Sequence, residues 1–442
     1  MRIAVVGLGK LGAPLAAVLA SKGHDVLGID VNSETVRLLR DGRAPVEEPG
    51  LQALLDTARG RLDATTDLAA AADCDVTIVL VPTPSDERGA FTNAYVVAAI
   101  EGVGAALARR EDYHAVVVAS TVMPGACDSE IRAALERTSG RRVNDTLGLC
   151  YSPEFIALGN VIRDLMEPDM VLIGESDTRA GDVVEPLYRG MCENDPPIRR
   201  LSLVNAELTK IAVNTFVTMK ISYANMLADM CERLPGADVA AVTDALGLDS
   251  RIGGRYLRGA IGYGGPCFPR DNKAFALLAR DLGAEPLLAE ATDTINVGQA
   301  ERLARIVRSR LSPGSVVGIL GLAYKPDTAV LDESPGVALA RVLIADSYEV
   351  NVYDPAATDA AVRALDGMAH GSSSVDELVA RSDVVVITTP WPEFADLPMG
   401  ALDRDGERLV VVDCWGMLSY ERYAPAVDIV RLGRGLAEAS PV

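Results

Sequence analysis

The chain has 442 residues, of which 49% are hydrophobic and 24% charged, and its formal net charge is −20 at pH 7. This balance is typical of a globular protein and excludes fibrous and disordered classes. The negative charge disfavours nucleic acids and anionic membranes as partners. No apolar run approaches the roughly 18 residues of a membrane span, so no membrane association is expected.

The numbers and spacing of cysteine and histidine residues indicate the cellular compartment and whether a metal site is expected. The seven cysteines lack paired spacing, which indicates reduced thiols and therefore a cytoplasmic protein. None of the three histidines has a second His or Cys at ligand spacing, so no metal site is predicted.

The first half of the chain alternates short apolar runs with segments of helical periodicity. This pattern predicts βαβ units around a buried parallel sheet. The predicted strands are residues 3–6, 26–29, 76–81, 116–119 and 147–151, and the predicted helices include 13–21 and 33–39.

A long helix is predicted from about residue 205 to 234, because this stretch contains neither Pro nor Gly. Asn205 is a plausible N-cap, and Glu207 falls in the first turn, where the helix dipole favours an acid. Several faces of this helix are apolar, so we expect part of it to be buried against a second subunit.

A second α/β pattern follows. Its predicted strands are residues 316–320, 350–353, 384–389 and 409–413, with a helix at 337–345. Its layout repeats that of the N-terminus, including an acid at the end of the second strand (Asp30, then Asp354). The second copy lacks a full G-x-G-x-x-G. The predicted fold class is therefore α/β, with two Rossmann-like doubly wound domains joined by a long central helix.

Gly7, Gly9 and Gly12 form G-x-G-x-x-G directly after the first strand and before a helix, which is the context of a dinucleotide fingerprint. Gly7 permits a tight turn, Gly9 permits close approach of a pyrophosphate, and Gly12 permits close helix packing. Asp30 would accept hydrogen bonds from the ribose and repel a 2′-phosphate, so NAD is preferred over NADP. The predicted cofactor residues here are Gly7, Leu8, Gly9, Lys10, Leu11, Gly12 and Asp30.

Two further segments follow strands and should border the cofactor, because ligands bind at the carboxyl ends of parallel strands. They contain Pro82, Thr83 and Pro84 in the first segment, and Ser120 and Thr121 in the second.

The segment GYGGPCFPRD, residues 262–271, places Cys267 behind a glycine turn and before a predicted helix. A helix N-terminus favours the thiolate form of a cysteine, whose free pKa is about 8.5. Asp271 falls four residues later on the same face, and we expect it to handle protons or water.

Lys210 and Asn214 share one face of the long helix, where they could stabilise an oxyanion and position a water. Glu154 follows a predicted strand and could act as an acid or base. Together with Cys267 these residues fit one chemistry. An alcohol loses a hydride to NAD, a thiolate traps the aldehyde, a second hydride leaves, and water releases a carboxylate.

With these residues in place, the chain resembles the UDP-glucose/GDP-mannose dehydrogenase family from Met1 to about Asp413. The motifs that carry the resemblance are GLGKLG, VPTPS, STVMPG, SPEF, the Lys210/Asn214 helix, GYGGPCFPRD and GLAYKPDT. The resemblance implies an NAD-binding domain at 1–200, a small all-α dimerisation domain at 201–300 and a nucleotide-sugar-binding domain at 301–442. It also implies a homodimer and two NAD per sugar.

The resemblance assigns roles residue by residue. Cys267 would be the nucleophile, with Lys210, Asp271, Thr121, Glu154 and Asn214 assisting, and Arg270 would bind the cofactor. The remaining implied substrate contacts are Phe155, Ile156, Arg251, Arg258, Tyr263, Gly264, Tyr324 and Lys325. Of these, Arg251 would be supplied across the dimer, and Lys325 would meet the phosphates.

Three segments depart from the family pattern. Asp332 stands where the family usually has a cofactor-binding arginine, and Trp415 stands where an Asp-x-Arg pattern is common. The stretch after Glu154, residues 156–159, is also altered. These changes bear on cofactor affinity and substrate choice.

Several functions remain open from sequence. The loop around Cys267 resembles UDP-glucose enzymes, with UDP-N-acetylhexosamine or GDP-mannose as alternative substrates. A two-electron hydroxyacid dehydrogenase would use Lys210 and Asn214 without the thiol. A binding protein that kept the fold is a third hypothesis, motivated by Asp332.

Overall fold

The computed structural model describes residues 1–311, 314–402 and 408–435. The chain divides into two compact units, Met1–Ala212 and Val213–Val442. One helix of 31 residues, Leu203–Arg233, begins in the first unit and ends in the second. The predicted domain from 301 to 442 includes residues 312–313, 403–407 and 436–442, which lie outside the described ranges.

The first unit is built on a sheet of eight strands. In chain order they are β1 (Arg2–Val6), β2 (Asp25–Ile29), β3 (Leu62–Thr65), β4 (Val76–Val79), β5 (His114–Val118), β6 (Leu147–Tyr151), β7 (Val171–Glu175) and β8 (Ile198–Ser202). Their order in the sheet is β3-β2-β1-β4-β5-β6-β7-β8. The pairing of β6 with β7 is antiparallel, whereas the other pairs are parallel. The sequence did not predict β3, β7 or β8.

Helices cover both faces of this sheet, because its central strands carry apolar residues on both sides. On β1, Ile3 and Val5 pack into one core while Ala4 and Val6 pack into the other. The helices are α1 (Gly12–Ser21), α2 (Ser33–Arg40), α3 (Leu51–Thr57), α4 (Ala94–Leu107), α5 (Arg132–Ser139), α6 (Val161–Met166), α7 (Thr178–Met191) and α8 (Leu203–Arg233).

In its described residues, the second unit contains a six-stranded, all-parallel sheet, with helices before it and between its strands. The helices are α9 (Val239–Gly247), α10 (Phe268–Asp281), α11 (Leu287–Arg308), α12 (Pro335–Ala345), α13 (Thr358–Ala364), α14 (Val375–Ala380), α15 (Met399–Leu402) and α16 (Tyr420–Tyr423). The strands are β9 (Val316–Leu320), β10 (Glu349–Tyr353), β11 (His370–Gly371), β12 (Val384–Ile387), β13 (Val410–Asp413) and β14 (Asp428–Arg431). They lie in the order β11-β10-β9-β12-β13-β14. Two Rossmann-like sheets and a long helix confirm the predicted fold class.

The architectural repeat extends to single hydrogen bonds. Gly7 has a φ of +96° and donates its N–H to the last residue of β2, and Gly321 has a φ of +103° and donates to the last residue of β10. Asp30 accepts from the N–H of Leu8, and Asp354 accepts from that of Leu322.

The third glycine is also matched across the repeat. A Cβ on Gly12 would lie 1.8 Å from the Gly7 carbonyl oxygen, and one on Gly336 would lie 2.3 Å from that of Gly321. The second copy therefore keeps the turn and the close helix packing although its glycines do not form the motif.

Helix α8 begins at Leu203, so the prediction that Asn205 caps it was wrong. Glu207, predicted in the first turn, is the fifth residue of the helix and is fully buried. Within the described ranges, no helix is both long and apolar enough to cross a bilayer.

Candidate active site

The fingerprint turn leaves one side of the backbone open. A Cβ on Gly7 would lie 2.2 Å from the Leu80 carbonyl oxygen, whereas a Cβ on Gly9 would meet no atom within 4 Å. The N-cap residue of α1 is Leu11, whose side chain cannot satisfy the first N–H groups of the helix. An anionic group can therefore approach these N–H groups at Gly9.

A cavity of about 680 Å³ opens beside this turn, a size that suits a cofactor. Its wall includes the fingerprint glycines and Lys10, Asp30 and Pro82. The sequence did not predict two apolar residues in the wall: Val31, which is 97% exposed, and Tyr95, which is 57% exposed. Side chains so exposed beside Asp30 suit contact with a flat ring, so the donors and walls present fit NAD.

Asp30 organises the turn as well as facing the cavity. Its carboxylate accepts from the N–H of Leu8 at 2.6 Å and from that of Asn32 at 2.8 Å. Each oxygen keeps a further lone pair for a ribose hydroxyl. The Leu8 side chain is buried, and it packs against the place where Gly28 lacks a Cβ.

The two segments after β4 and β5 are tied together. The Ser120 hydroxyl donates to the Val81 carbonyl at 2.8 Å and accepts from the Val81 N–H at 2.9 Å. Ser120 and Thr83 are buried, and Thr121 is partly buried. Pro84 is exposed. The buried hydroxyl of Ser120 thus fixes the register of two loops that follow neighbouring strands.

Lys210 and the segment after β6 also meet in the first unit. The Lys210 Nζ donates to the carbonyl oxygen of Glu154 and lies 4.5 Å from the centre of the Phe155 ring. Burial raises the pKa of the Glu154 carboxyl to about 7, while Lys210 and the Tyr188 hydroxyl, 3.5 Å away, oppose that rise. A carboxyl with this pKa can exchange a proton near neutral pH.

Glu48 is a contributor that the sequence did not indicate. Its carboxylate accepts from the N–H groups of Gly159 at 3.0 Å and Val161 at 2.7 Å, which holds the altered stretch after Glu154. Ile156 in that stretch is partly buried.

Cys267 is exposed and is the N-cap residue of α10, as the sequence predicted. Five of the other six cysteines are buried and Cys192 is partly buried. Among the cysteines, Cys267 is therefore the thiol that a small molecule can reach.

Asp271 lies four residues after Cys267 and is 1% exposed. Its carboxylate accepts from the Asn214 side-chain amide at 2.6 Å and from the Arg270 guanidinium at 3.1 Å. Because buried carboxylates need such partners, Asn214 and Arg270 hold Asp271 in place near the start of α10. The structure brings these three predicted residues together.

The glycines before Cys267 are packed too closely for any side chain. A Cβ on Gly264 would lie 2.3 Å from the Glu333 carbonyl oxygen, and one on Gly265 would lie 2.6 Å from the Tyr324 ring. The Gly265 N–H donates to the Asp332 carbonyl oxygen at 2.8 Å. Asp332 therefore supports the cysteine loop through its carbonyl oxygen, a contact that does not depend on its side chain.

Aromatic side chains surround the start of α10. Tyr263 is buried, and its hydroxyl donates to Asp293 at 3.0 Å. Phe268 packs edge-on against Tyr256 and Tyr263. Burial, followed by the charges of Cys267 and Asp332, raises the pKa of Tyr324 to about 12, so this hydroxyl stays neutral.

Arg258 contacts Trp415 at the carboxyl end of β13. Its guanidinium donates to the Trp415 carbonyl oxygen and lies 5.7 Å from the ring centre. The Trp415 indole N–H donates to the Thr388 carbonyl oxygen at 2.9 Å. Trp415 therefore supports Arg258 through both its carbonyl oxygen and its ring.

Two further predicted substrate contacts, Arg251 and Lys325, are cationic side chains of the second unit. Arg251 is exposed and its guanidinium pairs with Asp249 at 2.6 Å. Lys325 is partly buried in the loop after β9, which follows the turn at Gly321.

Comparisons with known proteins point to the same family along most of the chain. Sequence models of the UDP-glucose/GDP-mannose dehydrogenase family match three segments: the NAD binding domain at residues 1–192, the central domain at 204–297 and the UDP binding domain at 318–420.

Relatives and a solved structure match over nearly their whole length. A UDP-glucose 6-dehydrogenase of Haloferax volcanii is 37% identical, covering 93% of this chain and 96% of that protein. A GDP-mannose 6-dehydrogenase of Pseudomonas aeruginosa is 34% identical, covering 97% and 100%. The structure of a UDP-glucose dehydrogenase from Pyrobaculum islandicum superposes with a TM-score of 0.87 at 34% identity, covering 98% of each chain.

Proposed function

Because the chain belongs to the UDP-glucose/GDP-mannose dehydrogenase family, we propose that it oxidises the C6 hydroxymethyl group of UDP-glucose to a carboxylate through an adduct on Cys267. The family and the relatives establish an NAD-dependent nucleotide-sugar 6-dehydrogenase. The observation that carries the proposal is the exposed thiol of Cys267, four residues before the buried, doubly held carboxylate of Asp271.

The electron balance explains why a nucleophile is needed. Converting an alcohol carbon to a carboxylate removes four electrons and adds one oxygen atom from water. NAD, when bound, accepts a hydride, so two NAD are consumed for each sugar. The Cys267 sulfur adds to the aldehyde carbon and forms a thiohemiacetal. Its oxidation gives a thioester, and water cleaves the C–S bond to release the acid and the thiol.

The proposed roles of the other residues follow from their charges and contacts. The Lys210 ammonium, held at the Glu154 carbonyl, would stabilise negative charge on the substrate oxygen. Glu154 would exchange protons near pH 7, with Thr121 assisting. Asn214 and Asp271 would orient the water that cleaves the thioester.

The proposed NAD contacts are the fingerprint backbone, Asp30, the segments 82–84 and 120–121, and Arg270. For the nucleotide sugar we propose contacts by Phe155, Ile156, Arg258, Tyr263, Gly264, Tyr324 and Lys325. The division into domains at 1–200, 201–300 and 301–442 is part of the same proposal, as is a cytoplasmic location, which suits seven free thiols.

We further propose that the protein is a homodimer formed through α8. Phe216, Tyr223 and Met230 are 60%, 46% and 58% exposed and recur every seven residues, so they lie along one face of the helix. A large exposed apolar face favours burial against another copy. Met230→Glu should then give a monomer in light scattering, and a monomer for the unmodified protein would contradict the proposal. Arg251 would reach the partner's substrate.

Product stoichiometry tests the reaction. We expect two NADH per UDP-glucuronate, and Cys267→Ser should slow acid formation at least about a hundredfold. Cys192→Ser, a change at a partly buried thiol, serves as the control with unchanged turnover. One NADH per product, or full turnover by the Cys267→Ser variant, would favour a two-electron dehydrogenase instead.

GDP-mannose is a second candidate substrate, because relatives with that activity in their names are 32% to 34% identical to this chain. Initial rates with UDP-glucose, UDP-N-acetylglucosamine, UDP-N-acetylmannosamine and GDP-mannose decide the question. A kcat/KM highest for any sugar other than UDP-glucose would refute the proposed substrate. No turnover of any of them would indicate a binding protein.

A further inference from the structure

A buried carboxylate holds the segment that follows β5. Glu207 is fully buried on α8, three residues before Lys210. Its Oε2 accepts from the Gly125 N–H at 2.6 Å, and its Oε1 accepts from the Cys127 N–H at 2.8 Å. A carboxylate with no contact to water is costly unless hydrogen bonds compensate it, so these two bonds are the condition for its burial.

The two N–H groups belong to the beginning of a helix. Gly125 has a φ of +93°, and the chain then enters a π-helical turn, Cys127–Ile131, that continues into α5. The first N–H groups of a helix have no carbonyl partner within it. Glu207 supplies that partner from a different helix, and its negative charge suits the positive end of the dipole.

The same turn of α8 fixes two loops at once. Glu207 binds the end of the loop that begins at Thr121, and Lys210 binds the Glu154 carbonyl oxygen in the next loop. These loops follow β5 and β6, which are neighbours in the sheet. One turn of α8 therefore ties together the two loops that carry Thr121 and Glu154.

We propose that Glu207 is a positioning residue for the oxidation, setting the place of Thr121 relative to Glu154 and Lys210. This inference rests on the proposed function of those three residues. Glu207 acts through the Gly125–Cys127 backbone and need not touch substrate or cofactor. Replacing it should loosen one loop and slow turnover while leaving recognition of the nucleotide unchanged.

Glu207→Gln tests the proposal, because the amide keeps the shape but offers one acceptor and presents an N–H to the other backbone N–H. We expect amide exchange, measured by mass spectrometry on peptides covering 121–127, to accelerate about tenfold or more, with peptides of β1 and β12 unchanged. We expect kcat to fall about tenfold or more while KM for the nucleotide sugar changes less than about threefold. The exchange rate and kcat of Glu207→Asp should lie between those of Glu207→Gln and those of the unmodified protein.

Glu111→Gln, at an exposed carboxylate, and Asn205→Ala, at an exposed site on α8, are the matched controls and should match the unmodified protein. Faster exchange at 121–127 with unchanged kcat would overturn the positioning role, and unchanged exchange would overturn the clamp itself. If neither variant folds, the unmodified protein decides, because 121–127 must exchange far more slowly than an exposed loop. Exchange data are independent of turnover, so failure of the proposed reaction would be seen separately.

Discussion

Gly265→Ala tests whether the glycine loop before Cys267 depends on a close approach of backbone and ring. Gly265 has a φ of +87°, and a Cβ there would lie 2.6 Å from a Tyr324 ring carbon. A left-handed backbone costs an L-residue about 1–2 kcal/mol, and an overpacked site costs about 1–3 kcal/mol. We therefore expect the free energy of unfolding to fall by about 2–5 kcal/mol.

Two other glycines separate these contributions. Gly236 has a φ of +77° with open space around its Cβ position, so Gly236→Ala should cost only the backbone part, about 1–2 kcal/mol. Gly264 lacks the left-handed backbone, but its Cβ would lie 2.3 Å from a carbonyl oxygen, so Gly264→Ala reports the clash alone. Combining Gly265→Ala with Tyr324→Leu should recover the steric part of the loss.

Urea unfolding measures the free energies, and the rate of Cys267 modification by a maleimide measures how the loop presents the thiol. Gly265→Ala should change this rate and lower kcat, whereas Gly236→Ala should alter neither. If Gly265→Ala is no less stable than Gly236→Ala, the packing against Tyr324 does not constrain the loop and the reasoning fails.

Four other predictions concern residues of the site. The pKa of Glu154 is raised to about 7, so kcat/KM should rise with pH through that value if the carboxylate is the base; Glu154→Gln should abolish this step, and an unchanged profile would reject the role. The same raised pKa means that Glu154 destabilises the fold as pH rises from about 4.5 through 7, and unfolding of Glu154→Gln should lose this dependence. Trp415→Ala should raise KM for the nucleotide sugar about two- to fivefold, and Trp415→Phe should largely restore it, because the ring supports Arg258; equal KM values would refute the support. Asp30→Asn should weaken NAD binding about tenfold and reduce discrimination against NADP in fluorescence titrations; unaltered discrimination would contradict its ribose role.

The sequence predicted most strands that are continuous apolar runs, although β7, VLIGE, was missed. The strand at 147–151 was predicted to the residue, because burial on both faces leaves no polar position. β8 was missed because its sequence, IRRLS, mixes charge and apolar residues at the edge of the sheet. The antiparallel pairing of β7 with β6 is likewise not visible in the composition of β7.

Candidate site residues were predictable where the motif itself carries the geometry, as at Gly7 and at Cys267 before Pro269. Supporting residues were not. Glu207 and Glu48 are ordinary acids in the sequence, and only the folded chain shows that each accepts two backbone N–H groups from a distant loop. The side chain of Asp332 gives no indication of its contribution to the loop, which comes from its carbonyl oxygen.

The acids at the paired turns, Asp30 and Asp354, differ in how well they tolerate substitution. Asp354 is 2% exposed and accepts from the N–H groups of Leu322 and Ala323 and from the Trp391 indole, so it is committed to internal bonds. Asp30 is partly open and can alter with the ligand that it serves. Variation at Asp30 would therefore change cofactor choice among descendants, whereas variation at Asp354 would remove internal bonds and lower the stability of the second sheet.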